Sequence, residues 1–225
     1  MNPGTSHLPL RLVVLISGRG SNLEALLKGI AAQTVNAQVA AVISNKEHAK
    51  GLQLAQHYGL PSHILSHKDF PSREAFDKKL TEIIDQYTPD LVVLAGFMRI
   101  LTPEFVEHFT PRLINIHPSL LPSFTGLHTH ERALQAGVKA HGCTVHIVTA
   151  ELDNGPILGQ GVIPVFKEDS PETLAERVLH VEHTLFPAII QSIAQKQWIL
   201  NEQTWTHSAP SQIHPIAPLG FYSIG

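Results

Sequence analysis

Three short apolar runs, Leu10 to Ser17, Val39 to Ser44 and Leu91 to Ala95, constrain the fold of this chain more than any other feature. Each is apolar at odd and even positions alike. A strand tolerates that only where both faces of its sheet are covered, as for parallel strands in α/β proteins. Helical patterns lie between the runs, from Leu23 to about Gln33, from Ala49 to Tyr58 before Gly59 and Pro61, and from a Ser72 cap to Tyr87. With a short strand at His63 to Leu65, this alternation predicts a parallel, doubly wound, Rossmann-like first half.

The second half changes character. A short helix is expected at Pro103 to Phe109, a strand through Asn115 and His117, and a helix from Thr129 to about Ala136. His141 to Val148 and Ile157 to Val165 read as strands on either side of Asp153-Asn154-Gly155-Pro156, a turn sequence that makes them neighbours and the completed sheet mixed. Ser170-Pro171-Glu172-Thr173 has the form of a helix start, and the apolar period runs on to about Lys196 with a bend expected at Pro187. Residues Trp205 to Gly225, rich in Pro, Ser and Gly, are expected to wrap the surface or fray. No internal repeat or linker divides the sequence, so one α/β domain over residues 1–225, with its core at about 10–200, is the expectation.

Bulk properties narrow the classes of function. With 225 residues, 43% of them hydrophobic and 16% charged, the chain has material for one large core. A net charge of −3 without a dense Lys/Arg run offers no electrostatic footprint for nucleic acid. The single cysteine, Cys143, excludes an internal disulfide and a thiolate zinc cluster. The 15 histidines are scattered without His-Glu-x-x-His or other close ligand spacing, which disfavours a metal. Neither a secretory start nor an apolar run of membrane-spanning length is found, so a soluble cytoplasmic protein is expected.

Chemistry concentrates in Leu113-Ile114-Asn115-Ile116-His117-Pro118-Ser119-Leu120-Leu121-Pro122. Asn115 and His117 are two positions apart on a strand and so point the same way, an amide to hold a carbonyl oxygen and an imidazole to carry a proton. The prolines force the chain out of the sheet there, and strand ends are where open α/β sheets keep their sites. The same residues would also suit a strand end with a satisfied Asn and a core His. Asp153, in the turn between two strands, is a candidate carboxylate partner that would favour the imidazolium, although turn aspartates also serve only to bond their own backbone. Ser17-Gly18-Arg19-Gly20-Ser21-Asn22-Leu23 comes directly after the first strand, where free N–H groups at a helix start suit a phosphate. It is neither a Walker loop nor a Gly-x-Gly-x-x-Gly fingerprint, and an ordinary capped turn would look the same.

Taken in order, these motifs resemble the glycinamide ribonucleotide formyltransferase family, folate-dependent enzymes of purine synthesis. The resemblance runs from about Leu12 to Trp198 through Ser-Gly-x-Gly-Ser-Asn-Leu, Ser72-Arg73-Glu74, Leu94 to Leu101, Asn115-x-His117-Pro118-Ser119-Leu120-Leu121-Pro122, His141-Gly142-x-Thr144-Val145-His146 and Asp153-x-Gly155-Pro156. It implies the formyltransferase fold and transfer of a formyl group from 10-formyltetrahydrofolate, a cosubstrate, to glycinamide ribonucleotide, with Asn115, His117 and Asp153 catalytic. It further implies that Gly20, Ser21 and Asn22 hold the acceptor's phosphate and Glu182 its ribose hydroxyls. Arg73, Met98, Arg99, Ile100 and Leu101, together with Asn115 and the loop Thr149, Ala150, Glu151, Leu152 and Asp153, match the folate pocket, with His128 and Thr144 in support. Without the resemblance, Met98 to Leu101 would read as core and Glu182 as a solvated helix face. Arg19 and Thr125 depart from the family pattern, Thr125 standing where proline is frequent. Small molecules are the implied partners, with no metal, and the chain acts as a monomer or homodimer. Relatives that deliver the formyl group to methionyl-tRNA or to water share the catalytic core. The first would carry an added basic C-terminal domain and the second an N-terminal regulatory domain, and neither is expected here.

Overall fold

The computed structural model describes residues 8–201 and 204–208. Seven strands form one sheet: β1 (Leu10–Ile16), β2 (Ala37–Ser44), β3 (Ser62–Ile64), β4 (Leu91–Leu94), β5 (Leu113–His117), β6 (Ala140–Ile147) and β7 (Ile157–Pro164). Their order is β3-β2-β1-β4-β5-β6-β7, parallel from β3 to β5 and antiparallel from β5 to β7. The expected parallel half and mixed completion are both present. The chain leaves β1 toward β2 on one side and returns to β4 on the other, so a crevice opens at the carboxyl ends of β1 and β4.

Burial explains why β1 is apolar at every position from Leu12 to Ile16. Leu12, Val14 and Ile16 face one core with Leu23, Leu26 and Leu27 of α1 (Ser21–Ala31) and with Val178, Phe186 and Ile190 of α6 (Pro171–Ala194). Val13 and Leu15 face the other, with Phe76, Leu80 and Ile84 of α3 (Arg73–Asp85) and Phe105 and Phe109 of α4 (Pro103–Phe109). Phe186 is fully buried, and truncating such a ring to Ala costs about 3–5 kcal/mol. The smaller helices α2 (Lys50–His57) and α5 (Thr129–Gln135) add Ala55 and Ala133 to the first core.

Local chemistry sets the helix starts. The Ser72 hydroxyl accepts from Ala75 N, Thr102 accepts from Phe105 N ahead of Pro103, and Ser170 and Thr173 form a reciprocal capping box. The bend expected at Pro187 does not end α6, which is helical from Pro171 to Ala194. Pro187 lies against Gly29 of α1, where a Cβ would come 3.7 Å from its ring, and packing of the two helices holds the element together.

One expectation is corrected at the C-terminus. Trp205 to His207 belong to β9 (Thr204–His207), which pairs antiparallel with β8 (Trp198–Asn201) instead of wrapping or fraying. Both arms carry the β-branched and aromatic residues that favour a ladder, and that local preference outweighs the Pro/Ser/Gly bias of the adjoining sequence. The rest of the expected tail, 209–225, lies outside the described residues.

Candidate active site

Strand pairing builds the centre of the site. β5 and β6 are in register with Asn115 opposite His146 and His117 opposite Thr144, so all four side chains rise from one face of the sheet. The β6–β7 turn brings Asp153 back over them. Its carboxylate stands 3.5 Å from His117 Nδ1 and 3.8 Å from His146 Nε2, and it accepts a 2.8 Å hydrogen bond from Gly126 N. Asn115 Nδ2 is 3.2 Å from His146 Nε2, which links Asn115, His146, Asp153 and His117 in one chain of contacts. The three residues taken from the sequence as catalytic therefore converge. Asp153 has φ +52°, a left-handed conformation that the turn imposes on a non-glycine residue.

Hydrogen-bond direction orders the two imidazoles. His146 Nδ1 lies 2.9 Å from its acceptor Ile147 O, so Nδ1 carries the proton and the Nε2 lone pair accepts from the Asn115 amide. Burial lowers the His146 pKa below the usual imidazole range and keeps this ring neutral. His117 is 6% exposed and meets an acceptor at each nitrogen, Phe124 O at 3.0 Å from Nε2 and the Asp153 carboxylate at Nδ1. A ring with N–H at both positions satisfies both.

A loop after β5 roofs His117. Phe124, Gly126 and His128 all have positive φ, and Arg132 donates to Thr125 O and Leu127 O. Thr144 supports it from below, donating to Ser119 O at 2.7 Å and accepting from Leu121 N at 3.0 Å, with Gln160 Nε2 at 3.1 Å. His128 is exposed ahead of α5, and its ring faces Glu131. Behind the loop, His130 and His141 are 3.2 Å apart, and burial pushes the His141 pKa down to about 4.

Asn22 and Glu182, from the first and last helices of the sheet domain, also come together. Gly20 caps α1 at φ +76°, and a Cβ there would lie 2.7 Å from Gly51 Cα, so the loop is pressed against the start of α2. Asn22 Nδ2 donates to the buried Glu182 carboxylate at 2.7 Å. Asn22 Oδ1 has no hydrogen-bond partner among the described residues, and burial raises the Glu182 pKa above its ordinary value. Arg19 and Arg73 are exposed.

The segment after β4 forms the remaining wall. Met98 and Ile100 are 63% and 57% exposed, and Leu152 in the facing loop is 56% exposed. Met98 N donates to Ser17 Oγ at 2.7 Å, and Thr102 N to Asp77 Oδ2 at 2.6 Å. Between them, Ile100 N, Leu101 N and the carbonyls of residues 99–101 make no hydrogen bond among the described residues. Arg99 lies over the Phe76 ring at 4.2 Å, with Nε 3.8 Å from Asp77 Oδ1.

His146, Ser17, Gln160 and Asp77 belong to this geometry although none stood out as a functional residue in the sequence. The signal for His146 was present, since period-two alternation from Thr144 places it on the site face.

The chain belongs to the formyl transferase family, whose N-terminal model matches residues 10–190. Over 193 residues it is 48% identical to the phosphoribosylglycinamide formyltransferase of Escherichia coli, covering 86% of this chain and 91% of that protein. The human trifunctional purine biosynthetic protein adenosine-3 is 45% identical over 82% of this chain, which matches 18% of that longer protein. Among solved structures, the phosphoribosylglycinamide formyltransferase of Coxiella burnetii superposes with a TM-score of 0.84 at 46% identity, covering 88% of this chain and 93% of that one. Glycinamide ribonucleotide transformylase 1 of Symbiobacterium toebii gives 0.85 at 41% identity over 90% and 95%.

Among the described residues, no group of three or more His, Cys, Asp or Glu is arranged to hold a metal ion, and no helix is long and apolar enough to cross a membrane.

Proposed function

We propose that this chain transfers the formyl group of 10-formyltetrahydrofolate to the amine of glycinamide ribonucleotide in purine synthesis. The observation that carries the reading is the convergence of Asn115, His117 and Asp153 at the end of β5, in a chain close to named phosphoribosylglycinamide formyltransferases along nearly its whole described length.

Each part of the cleft suits one part of the reactants. The exposed Met98, Ile100 and Leu152 side chains supply apolar walls, and the unpaired backbone of residues 99–101 supplies donors and acceptors for a flat pterin edge. Arg73, exposed at the start of α3, suits the carboxylates of the folate tail. Gly20, Ser21 and Asn22 at the start of α1 suit the acceptor's phosphate. The Glu182 carboxylate and the unpartnered Asn22 Oδ1 are acceptors that suit ribose hydroxyls.

The chemistry is direct transfer. The acceptor amine attacks the formyl carbon, and charge develops on the formyl oxygen. One N–H of Asn115 is held by His146, which leaves the other for that oxygen, and His117 supplies a second donor once Nε2 exchanges Phe124 O for substrate. Asp153 steadies the positive ring. The positive His117 ring gives a proton to the folate nitrogen as its bond to the formyl carbon breaks, and Asp153, directly or by water, takes the proton lost by the amine. No protein nucleophile takes part. Burial, with the nearby Glu182 charge, pushes the thiol of Cys143 up to about 12, so it is inert.

The test is folate deformylation monitored by absorbance with and without glycinamide ribonucleotide. Acceptor-dependent turnover is expected; equal turnover with water alone would overturn the reading in favour of a hydrolase.

A further inference from the structure

We infer that the donor-binding segment 98–102 is held in its binding shape by two buried side chains at its ends, Ser17 and Asp77, and that these are positioning residues for the folate. The inference rests on the assignment of this segment to folate.

A stretch that offers its backbone to a ligand cannot also satisfy that backbone internally, so its shape must be fixed from outside. Segment 98–102 meets this condition. Apart from the short Arg99 N to Phe97 O contact, its N–H groups are held only at the two ends.

The first anchor is Ser17, 4% exposed, whose hydroxyl accepts from Met98 N at 2.7 Å and donates to the buried Asn45 Oδ1 at 2.6 Å. Asn45 thereby fixes the hydroxyl rotor, leaving its lone pair aimed at Met98. Ser17 N in turn donates to Gly96 O at 3.1 Å, so the end of β1 is tied twice to the chain leaving β4. Ser17 directly precedes the loop proposed to hold the acceptor's phosphate. A shift at Ser17 therefore moves the acceptor's loop as well as the donor's wall.

The second anchor is Asp77 on α3, 1% exposed. Oδ2 accepts from Thr102 N at 2.6 Å, and Oδ1, unpartnered, faces the unpartnered Arg99 Nε at 3.8 Å. Arg73, one turn earlier on α3, adds to the positive field around the carboxylate. A carboxylate is costly to bury, and here its neighbours are the backbone and side chain of the segment itself. The Arg99 guanidinium is engaged between Phe76 and Asp77, so it braces the wall from behind.

Ser17→Ala and Asp77→Ala separate the two anchors. Asp77→Ala, which leaves Thr102 N without its acceptor, is expected to raise the KM for 10-formyltetrahydrofolate about tenfold, the size of a lost charged hydrogen bond, with acceptor KM and kcat changed less than about twofold. Ser17→Ala is expected to raise both KM values, and Ser17→Thr, which keeps the hydroxyl, to restore them. Amide hydrogen exchange on the free protein should show faster exchange at Thr102 in Asp77→Ala and at Met98 in Ser17→Ala. Donor KM within about twofold of the parent in both variants, or unchanged exchange at both amides, overturns the inference. If the parent protein shows no acceptor-dependent turnover, the proposed function fails instead, and the exchange data with calorimetric tetrahydrofolate binding still decide the anchors.

Discussion

Replacing Asp153 with Asn removes one negative charge and little volume. The carboxylate stands 3.5 Å from His117 Nδ1 in a site where both side chains are under a tenth exposed. At an effective dielectric near 20, attraction between unit charges at that distance is on the order of 5 kcal/mol, an upper bound because the amide keeps a dipole there. Each ~1.4 kcal/mol is tenfold in rate, so kcat should fall by about 10²- to 10⁴-fold. Asparagine retains an oxygen that can accept from Gly126 N, so the loop should keep its place and both substrates should still bind. The assay is absorbance-detected formyl transfer at saturating donor and acceptor, with binding measured separately by calorimetry. Turnover within about threefold of the parent would refute the reasoning, because it would mean that the charge contributes nothing to keeping the ring positive.

Four further outcomes rest on the same geometry. His117→Ala should lower kcat by about 10²- to 10⁴-fold with folate affinity largely kept, and a normal turnover number would remove the ring from the mechanism. Glu182→Gln should raise the acceptor KM about tenfold or more and leave the donor KM alone, because the carboxylate that orients Asn22 becomes an amide; initial-rate kinetics check this. Gly20→Ala should cost about 2–4 kcal/mol in urea unfolding, combining a left-handed alanine with overlap on Gly51, and an unchanged midpoint would contradict the packing. For pH, His141 is held near 4 when folded against about 6.5 unfolded, so between those values the unfolded chain binds more protons. Stability should be full above about 6.5 and fall by a few kcal/mol as pH drops toward 4, and His141→Gln should flatten that slope in thermal unfolding.

The fold was legible wherever one local signal dominated. Both faces of β1 are covered, as its near-continuous apolar run demands, and the Asp153-Asn154-Gly155-Pro156 turn does join neighbouring antiparallel strands. Helix starts were readable from Ser72 and Ser170 because a hydroxyl cap is a local event. Residues defined by long-range pairing were harder to see. Asp77 reads as an ordinary polar position on an amphipathic helix, and only the approach of Thr102 and Arg99 from another part of the chain gives it a task. His146 meets Asn115 through the β5–β6 register, which no single segment specifies. His128 shows the reverse case. It lies within a matching motif, and the sequence does not show that its ring is exposed and faces Glu131.

Direct transfer between two bound small molecules is the central claim, and a single-turnover experiment with donor carrying a labelled formyl group tests it most directly. With glycinamide ribonucleotide present, the label should pass to the ribonucleotide, with tetrahydrofolate formed in equal amount. Without the acceptor, the label should stay on the folate. Label on the protein, or released as formate at the same rate when the acceptor is absent, would contradict the account.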